Sequence, residues 1–196
     1  MSTRHSLPTV HCRLPTEASG GAMETSAAQH EARAAAEMPS VRVAVVTVSD
    51  TRTEETDTSG RLLRESLGAD GHTIAFYRII KDDGEGIHAA LNEATSQPAC
   101  DAIVFNGGTG IARRDTTFDV IDRALEKRLV GFGEIFRALS YQEIGPAAIM
   151  SRATAGTYRN RIVISIPGST AAVRLALEKL IRPQLPHMVW ELIRQQ

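Results

Sequence analysis

The sequence predicts an α/β fold: a three-layer sandwich with a mostly parallel central sheet and helices on both faces. Four short apolar runs rich in β-branched residues, at 41–48, 73–80, 102–105 and 162–166, read as strands, the first and third buried on both sides. Between and after them, apolar residues recur at helical spacing: Leu62, Leu63 and Leu67, then Ile87, Ala90, Leu91 and Ala94, then Val173, Leu177, Leu180 and Ile181. Strand alternating with helix requires crossover connections, which join parallel neighbours.

The remaining elements follow in order. Helices are expected around 117–127 and 133–143, with a less distinct strand near 147–156. Pro183 and Pro186 punctuate the chain before a short closing helix at 188–192. Residues 40–196 form one domain. Residues 1–39 read as a tail, disordered or a weakly held helix. Its run from Glu31 to Glu37 has the composition of a helix former but offers no apolar stripe for docking.

Composition narrows the function. The 196 residues are 42% hydrophobic and 23% charged, as in a globular protein. A net charge of −1 supplies no overall attraction to nucleic acid or to an anionic membrane. The two cysteines, Cys12 and Cys100, form no CxxC or Cys/His metal pattern. No run approaches the roughly 20 apolar residues of a membrane span, and the N-terminus lacks a secretory apolar core. The expected location is the cytoplasm.

In open α/β sheets, ligands bind outside the carboxyl ends of the strands. That rule selects Ser49, Asp50, Thr51 and Arg52 after the first strand, and Lys81, Asp82 and Asp83 after the second. It selects Gly107, Gly108, Thr109 and Gly110, with Arg113, Arg114 and Asp115, after the third. Pro167, Gly168 and Ser169 follow the last. Glycines let backbone N–H groups approach an anion, and arginine pairs with phosphate through two donors. Asp50, Asp82 and Asp115 are carboxylates of the kind that, with substrate phosphates, hold Mg²⁺. The combination points to nucleotidyl or phosphoryl transfer.

Each feature also has a purely structural use. Asp83 and Ser169 are placed to cap helices, Asp115 competes with Thr116 and Thr117 for the next cap, and Asp50 can close a turn with Thr51. The co-location of these residues carries the functional reading. No GxxxxGK[ST] motif exists. The stretch from Gly108 to Arg113 has arginine at the third glycine of the dinucleotide fingerprint. His72, His88 and His187 do not fit a Ser-His-Asp arrangement.

The ordered set Thr47-Val48-Ser49-Asp50-Thr51-Arg52, Asp57-Thr58-Ser59-Gly60, Lys81-Asp82-Asp83, Gly107-Gly108-Thr109-Gly110, Arg114-Asp115, Gly131-Phe132-Gly133-Glu134, Ser151-Arg152 and Pro167-Gly168-Ser169 resembles the molybdenum cofactor biosynthesis protein B family. That family is related to molybdopterin adenylyltransferase and to gephyrin-type pterin-binding domains. The resemblance implies Mg²⁺- and ATP-dependent adenylylation of the molybdopterin phosphate with release of pyrophosphate. It matches Asp82 and Asp115 to the two catalytic, metal-holding carboxylates. Ser49, Asp50, Gly107, Gly108, Thr109, Gly110, Arg114, Gly168 and Ser169 match its substrate-binding loops. A homotrimer or homohexamer is implied, with other cofactor-assembly proteins as partners. Some members of this branch lack the carboxylates and do not catalyse, so a non-catalytic molybdopterin-binding role stands as the alternative; this chain keeps both. It departs from the usual pattern at Asn106, at Thr116-Thr117-Phe118 and at Thr170.

Overall fold

The computed structural model describes residues 26–194. The expected sandwich is present. A six-stranded sheet of order β2-β1-β3-β6-β5-β4 comprises β1 (Arg42–Val48), β2 (Thr73–Ile80), β3 (Ala102–Asn106), β4 (Lys127–Arg128), β5 (Thr154–Tyr158) and β6 (Arg161–Ile166). The first four in that order run parallel; β5 and β4 are antiparallel additions. Helices α2 (Thr58–Ala69), α3 (Gly84–Ser96), α4 (Thr117–Ala124), α5 (Val130–Ile144), α6 (Thr170–Ala176) and α7 (Arg182–Ile193) cover it, and α1 (Ser26–Glu37) lies outermost.

Alternating side chains divide the core in two, because successive residues of a strand face opposite sides. Val43 and Val45 of β1, Val104 of β3 and Ile162 and Ile164 of β6 pack with Leu63 and Leu67 of α2, Phe136 of α5 and Val189 of α7. Ala44, Val46 and Val48 of β1, Ile103 and Phe105 of β3 and Val163 of β6 pack with Ile87 and Leu91 of α3 and Ile121 of α4. The central strands are apolar throughout because both faces are covered. Cys100 lies within this second half of the core: its thiol is enclosed, and burial raises its pKa.

Three local expectations differ from the fold. The helix expected over 117–127 stops at Ala124. Leu125 turns extended to bury its side chain, and Lys127 and Arg128 then pair with Thr157 and Gly156. Residues Gly145–Met150 form a 3-10 helix where the indistinct strand was expected to begin. Gly145 at φ 59° ends α5, and Pro146 starts the tighter turn. The strand itself lies later, at β5. Pro183 and Pro186 do not separate elements but sit inside α7, which continues α6 through a π-turn at Leu177–Ile181. A proline lacks the N–H for, and crowds, the carbonyl four residues back. For Pro183 that carbonyl belongs to Lys179, inside the wider turn.

The tail expectation also meets a different outcome in its described part. Residues 1–25, including Cys12, His5 and His11, lie outside the described residues. Helix α1 packs against α7 through Ala34, which is fully buried, and Met38 packs against the core. Trp190 donates its indole N–H to Glu37 at 2.7 Å, and Gln184 donates to Glu31 at 2.8 Å. A small residue permits close approach here, so docking needs no stripe of large apolar residues. Ala34→Arg is expected to lift α1 from α7. Trp190, the sole tryptophan, should then show red-shifted emission and greater quenching by iodide while the rest of the fold remains.

Candidate functional site

The strand order reverses between β1 and β3, since β1 connects outward to β2 and β2 returns past it to β3. Such a switch point parts the loops on either side and opens a crevice at the carboxyl ends. Register aligns those ends: Thr47 is opposite Asn106, Val48 opposite Ile80, and Asn106 opposite Ile166. Two adjoining hollows, of about 300 and about 190 Å³, lie here and share Val48, Ser49, Gly108 and Asp115.

The larger hollow is lined by Gly107, Gly108, Thr109, Gly110 and Gly168, with Thr47, Arg52, Asp57 and Asn106. The smaller adds Asp50, Asp82 and Arg114. Asp82 and Asp115 thus reach one place from loops after different strands. Ser169 does not line either hollow. It caps α6 by accepting from the Ala172 N–H at 3.3 Å, and it borders a neighbouring cavity. Asp83 caps α3, accepting from Gly86 at 2.7 Å, as its position before a helix predicts. Thr116 is the residue at the N-cap of α4 but makes no side-chain cap bond.

The carboxylates have defined tasks. Asp82 accepts from the Thr116 N–H at 3.1 Å, the Thr116 hydroxyl at 3.0 Å and the Thr117 hydroxyl at 3.1 Å, all on Oδ1. Asp115 accepts from the Ala112 N–H on Oδ2 at 2.8 Å. Asp50 accepts from the Asp82 N–H at 3.3 Å, joining the β1 and β2 loops. Ser49 accepts from the N–H groups of Thr51 and Arg52 and shapes its own loop. Among the described residues, Oδ2 of Asp82 and Oδ1 of Asp115 have no protein donor.

Glycine is required at two of these positions. Gly107 has φ 112°, and a Cβ there would stand 2.1 Å from the Val48 carbonyl. Gly108 has φ 61°, and its Cβ would stand 2.4 Å from Asp82 Oδ2. The loop therefore passes directly over the Asp82 carboxylate.

Two sets of residues without an assigned role in the sequence prove central. Arg152 donates from Nε to the Thr109 carbonyl at 2.9 Å and from Nη2 to the Gly110 carbonyl. It also pairs with Asp119 at 3.2 Å, with its guanidinium 4.5 Å from the centre of the Phe118 ring. It holds the Thr109 and Gly110 carbonyls, while the Gly107 N–H donates to the Ile166 carbonyl at 3.0 Å. No local periodicity marks Arg152, which lies more than forty residues from the carbonyls it holds. The second set floors the larger hollow. Asp57 Oδ2 accepts from the Thr47 hydroxyl at 2.5 Å and the Tyr77 hydroxyl at 2.6 Å, and Asp57 Oδ1 accepts from the Gly60 N–H at 2.9 Å. Asn106 donates to Thr47 at 2.9 Å. The cap pattern Asp57-Thr58-Ser59-Gly60 is the one sequence signal for it. Thr170, a departure from the usual proline, bonds through its hydroxyl to Thr58 at 3.0 Å and Ser59 at 3.2 Å, tying α6 to α2.

Burial pushes the Asp57 carboxyl pKa up, but the donors Thr47, Tyr77 and Gly60 more than reverse it, leaving it below the ordinary range. Burial and the bond to Asp57 raise the Tyr77 phenol. Because the folded-state value of Asp57 is depressed, its stabilisation is complete above the unfolded value of about 3.9 and is lost as pH falls through the lowered one. Asp57→Asn should therefore flatten the loss of stability below about pH 4, measured by urea unfolding across pH. An unchanged acid profile would contradict an ionised Asp57.

Residues 44–187 match the family described as a probable molybdopterin binding domain. The chain is 48% identical over 171 residues to molybdenum cofactor biosynthesis protein B of Bacillus anthracis, covering 87% of this chain and 99% of that one. A crystal structure of molybdenum cofactor biosynthesis protein B superposes with TM-score 0.78 at 50% identity, covering 80% and 98% of the two chains. The tungsten cofactor synthesizing protein MoaB from Pyrococcus furiosus superposes with TM-score 0.70 at 41% identity, covering 78% and 96%. On these matches and on the fold, the chain belongs to the molybdenum cofactor biosynthesis protein B family.

Proposed function

We propose that the chain adenylylates the phosphate of molybdopterin, using Mg²⁺-ATP and releasing pyrophosphate. The observation that carries this reading is the meeting of Asp82 and Asp115 in one hollow beneath a glycine loop. The substrate's terminal phosphate oxygen forms a bond to the α-phosphorus of ATP as the α–β bridging bond breaks. A phosphate monoester has a second pKa of about 6, so it is largely ionised at neutral pH and needs no protein base. This accords with a hollow that contains no histidine.

The protein's work is positioning and charge neutralisation. Backbone N–H groups of Gly108, Thr109 and Gly110 hold phosphate oxygens, with the Thr109 hydroxyl beside them; the Gly107 N–H is used within the fold, donating to the Ile166 carbonyl at 3.0 Å. Arg114 and Arg52 supply positive charge from the rim. Arg152 holds the loop from behind. Among the described residues no cluster of three or more His, Cys, Asp or Glu could hold a metal ion by itself. Mg²⁺ characteristically uses only one or two carboxylates and completes its shell with phosphates and water. The free oxygens of Asp82 and Asp115 fit that demand. Bound there with ATP, the ion would supply charge neutralisation to the phosphates. Exposed Val130, Ile135, Tyr141, Ile144 and Ile149 on α5 and the following turn support assembly with further copies, as a trimer or hexamer.

Pyrophosphate release from ATP and molybdopterin tests the reaction. Asp82→Asn and Asp115→Asn should each lower turnover by roughly 100-fold or more while pterin binding persists. Unchanged turnover would remove them from the mechanism, and absence of release by the wild type would leave a pterin-binding role. Arg152→Lys, which keeps charge but cannot span both carbonyls, should raise KM for ATP more than it lowers kcat.

A further inference from the structure

A groove of about 310 Å³ lies between α7 and the β4–β5 edge of the sheet. Leu129, Ile162, Met188 and Leu192 give it apolar walls, with Gln184 and Glu191 on its α7 side. β4 is the last strand of the sheet, and Leu129, just after it, is 40% exposed. An apolar groove beside an open strand edge suits an extended segment.

Helix α1 delivers the preceding chain to this groove. It crosses α7 through the buried Ala34. In its first half, Gln184 donates to Glu31 at 2.8 Å, and His30 Nδ1 lies 3.9 Å from Glu191. Both of these α7 partners line the groove. At the other end, Ala35 and Met38 border Pro183 and Pro186, on the opposite flank of α7. The residues before Ser26 therefore leave α1 on the groove's side.

Those residues carry a signal that the catalytic reading does not use. Thr9-Val10-His11-Cys12-Arg13-Leu14 alternates polar and apolar at every step, the period of a strand with one buried face. Residues 15–25 join it to α1 and span up to roughly 36 Å when extended. Gly20-Gly21 within them lets the chain double back. The family match begins at residue 44, beyond both this segment and α1.

We propose that residues 9–14 dock in this groove as an extended strand, with Val10, Cys12 and Leu14 against Leu129, Ile162, Met188 and Leu192. Thr9, His11 and Arg13 then face water. The segment straps the N-terminal part of the chain across α7 to the sheet edge. The groove shares no lining residue with the phosphate hollows, so its occupation does not depend on the adenylylation reading.

The test is alkylation of the full chain by iodoacetamide, with each thiol followed by mass spectrometry. Cys100 is enclosed, so its protection reports an intact fold. Cys12 should react roughly tenfold or more slowly in the native chain than in urea. Leu129→Glu in the groove and Val10→Glu in the segment should each raise the native rate roughly tenfold, as loss of one buried aliphatic contact requires. His11→Glu, on the water side, should leave it unchanged. A native rate equal to that in urea would overturn the docking, as would an unchanged rate in Leu129→Glu and Val10→Glu. In Leu129→Cys, oxidation by diamide should join Cys12 to the introduced thiol within one chain. A bond formed only between chains would overturn the assignment and give the groove to a second copy.

Discussion

The reversal of strand order between β1 and β3 governs the rest of this structure. Neighbouring loops that leave a sheet toward opposite faces cannot close over the strand ends between them. The parallel register then sets Val48, Ile80, Asn106 and Ile166 on one rim. Both adjoining hollows and the Asp82–Asp115 pairing follow from that geometry.

The rim is held by bonds between loops. Asp50 binds the backbone beside Asp82, Asp82 binds the start of α4, and Arg152 binds the glycine loop from behind. Beneath them the ionised Asp57 orders Thr47 and, through it, Asn106. For the proposed reaction such a preorganised site would have little to rearrange as charge develops on a phosphate, which is the main advantage of fixed dipoles over water. Asp82 illustrates the economy of the arrangement. One oxygen serves the fold, and the other, under Gly108, has no partner among the described residues.

The same residue type often serves structure and chemistry, and sequence alone does not separate the two. Ser169 and Asp83 are helix caps in fact as well as by position. Ser169 was also a candidate for the phosphate site, yet it faces the neighbouring cavity. The prolines near the C-terminus teach the same point from the other side. Both sit inside a continuous helix; for Pro183 a widened turn at Leu177–Ile181 relieves the clash with the carbonyl four residues back.

By itself the sequence determined the alternation of strands and helices, the two-sided burial of the central strands, and which loops lie at the carboxyl rim. These depend on side-chain periodicity and on chain direction, both local properties. It also contained the ordered motifs that carry the family resemblance. Tertiary structure alone decided that Arg152 holds the Thr109 and Gly110 carbonyls, that Asp57 meets Thr47 and Tyr77, and that Ala34 docks α1 onto α7. Those contacts join residues distant in sequence, or turn on one small side chain at a helix crossing. No local pattern encodes them, because their energy appears only when separate elements are brought within bonding distance.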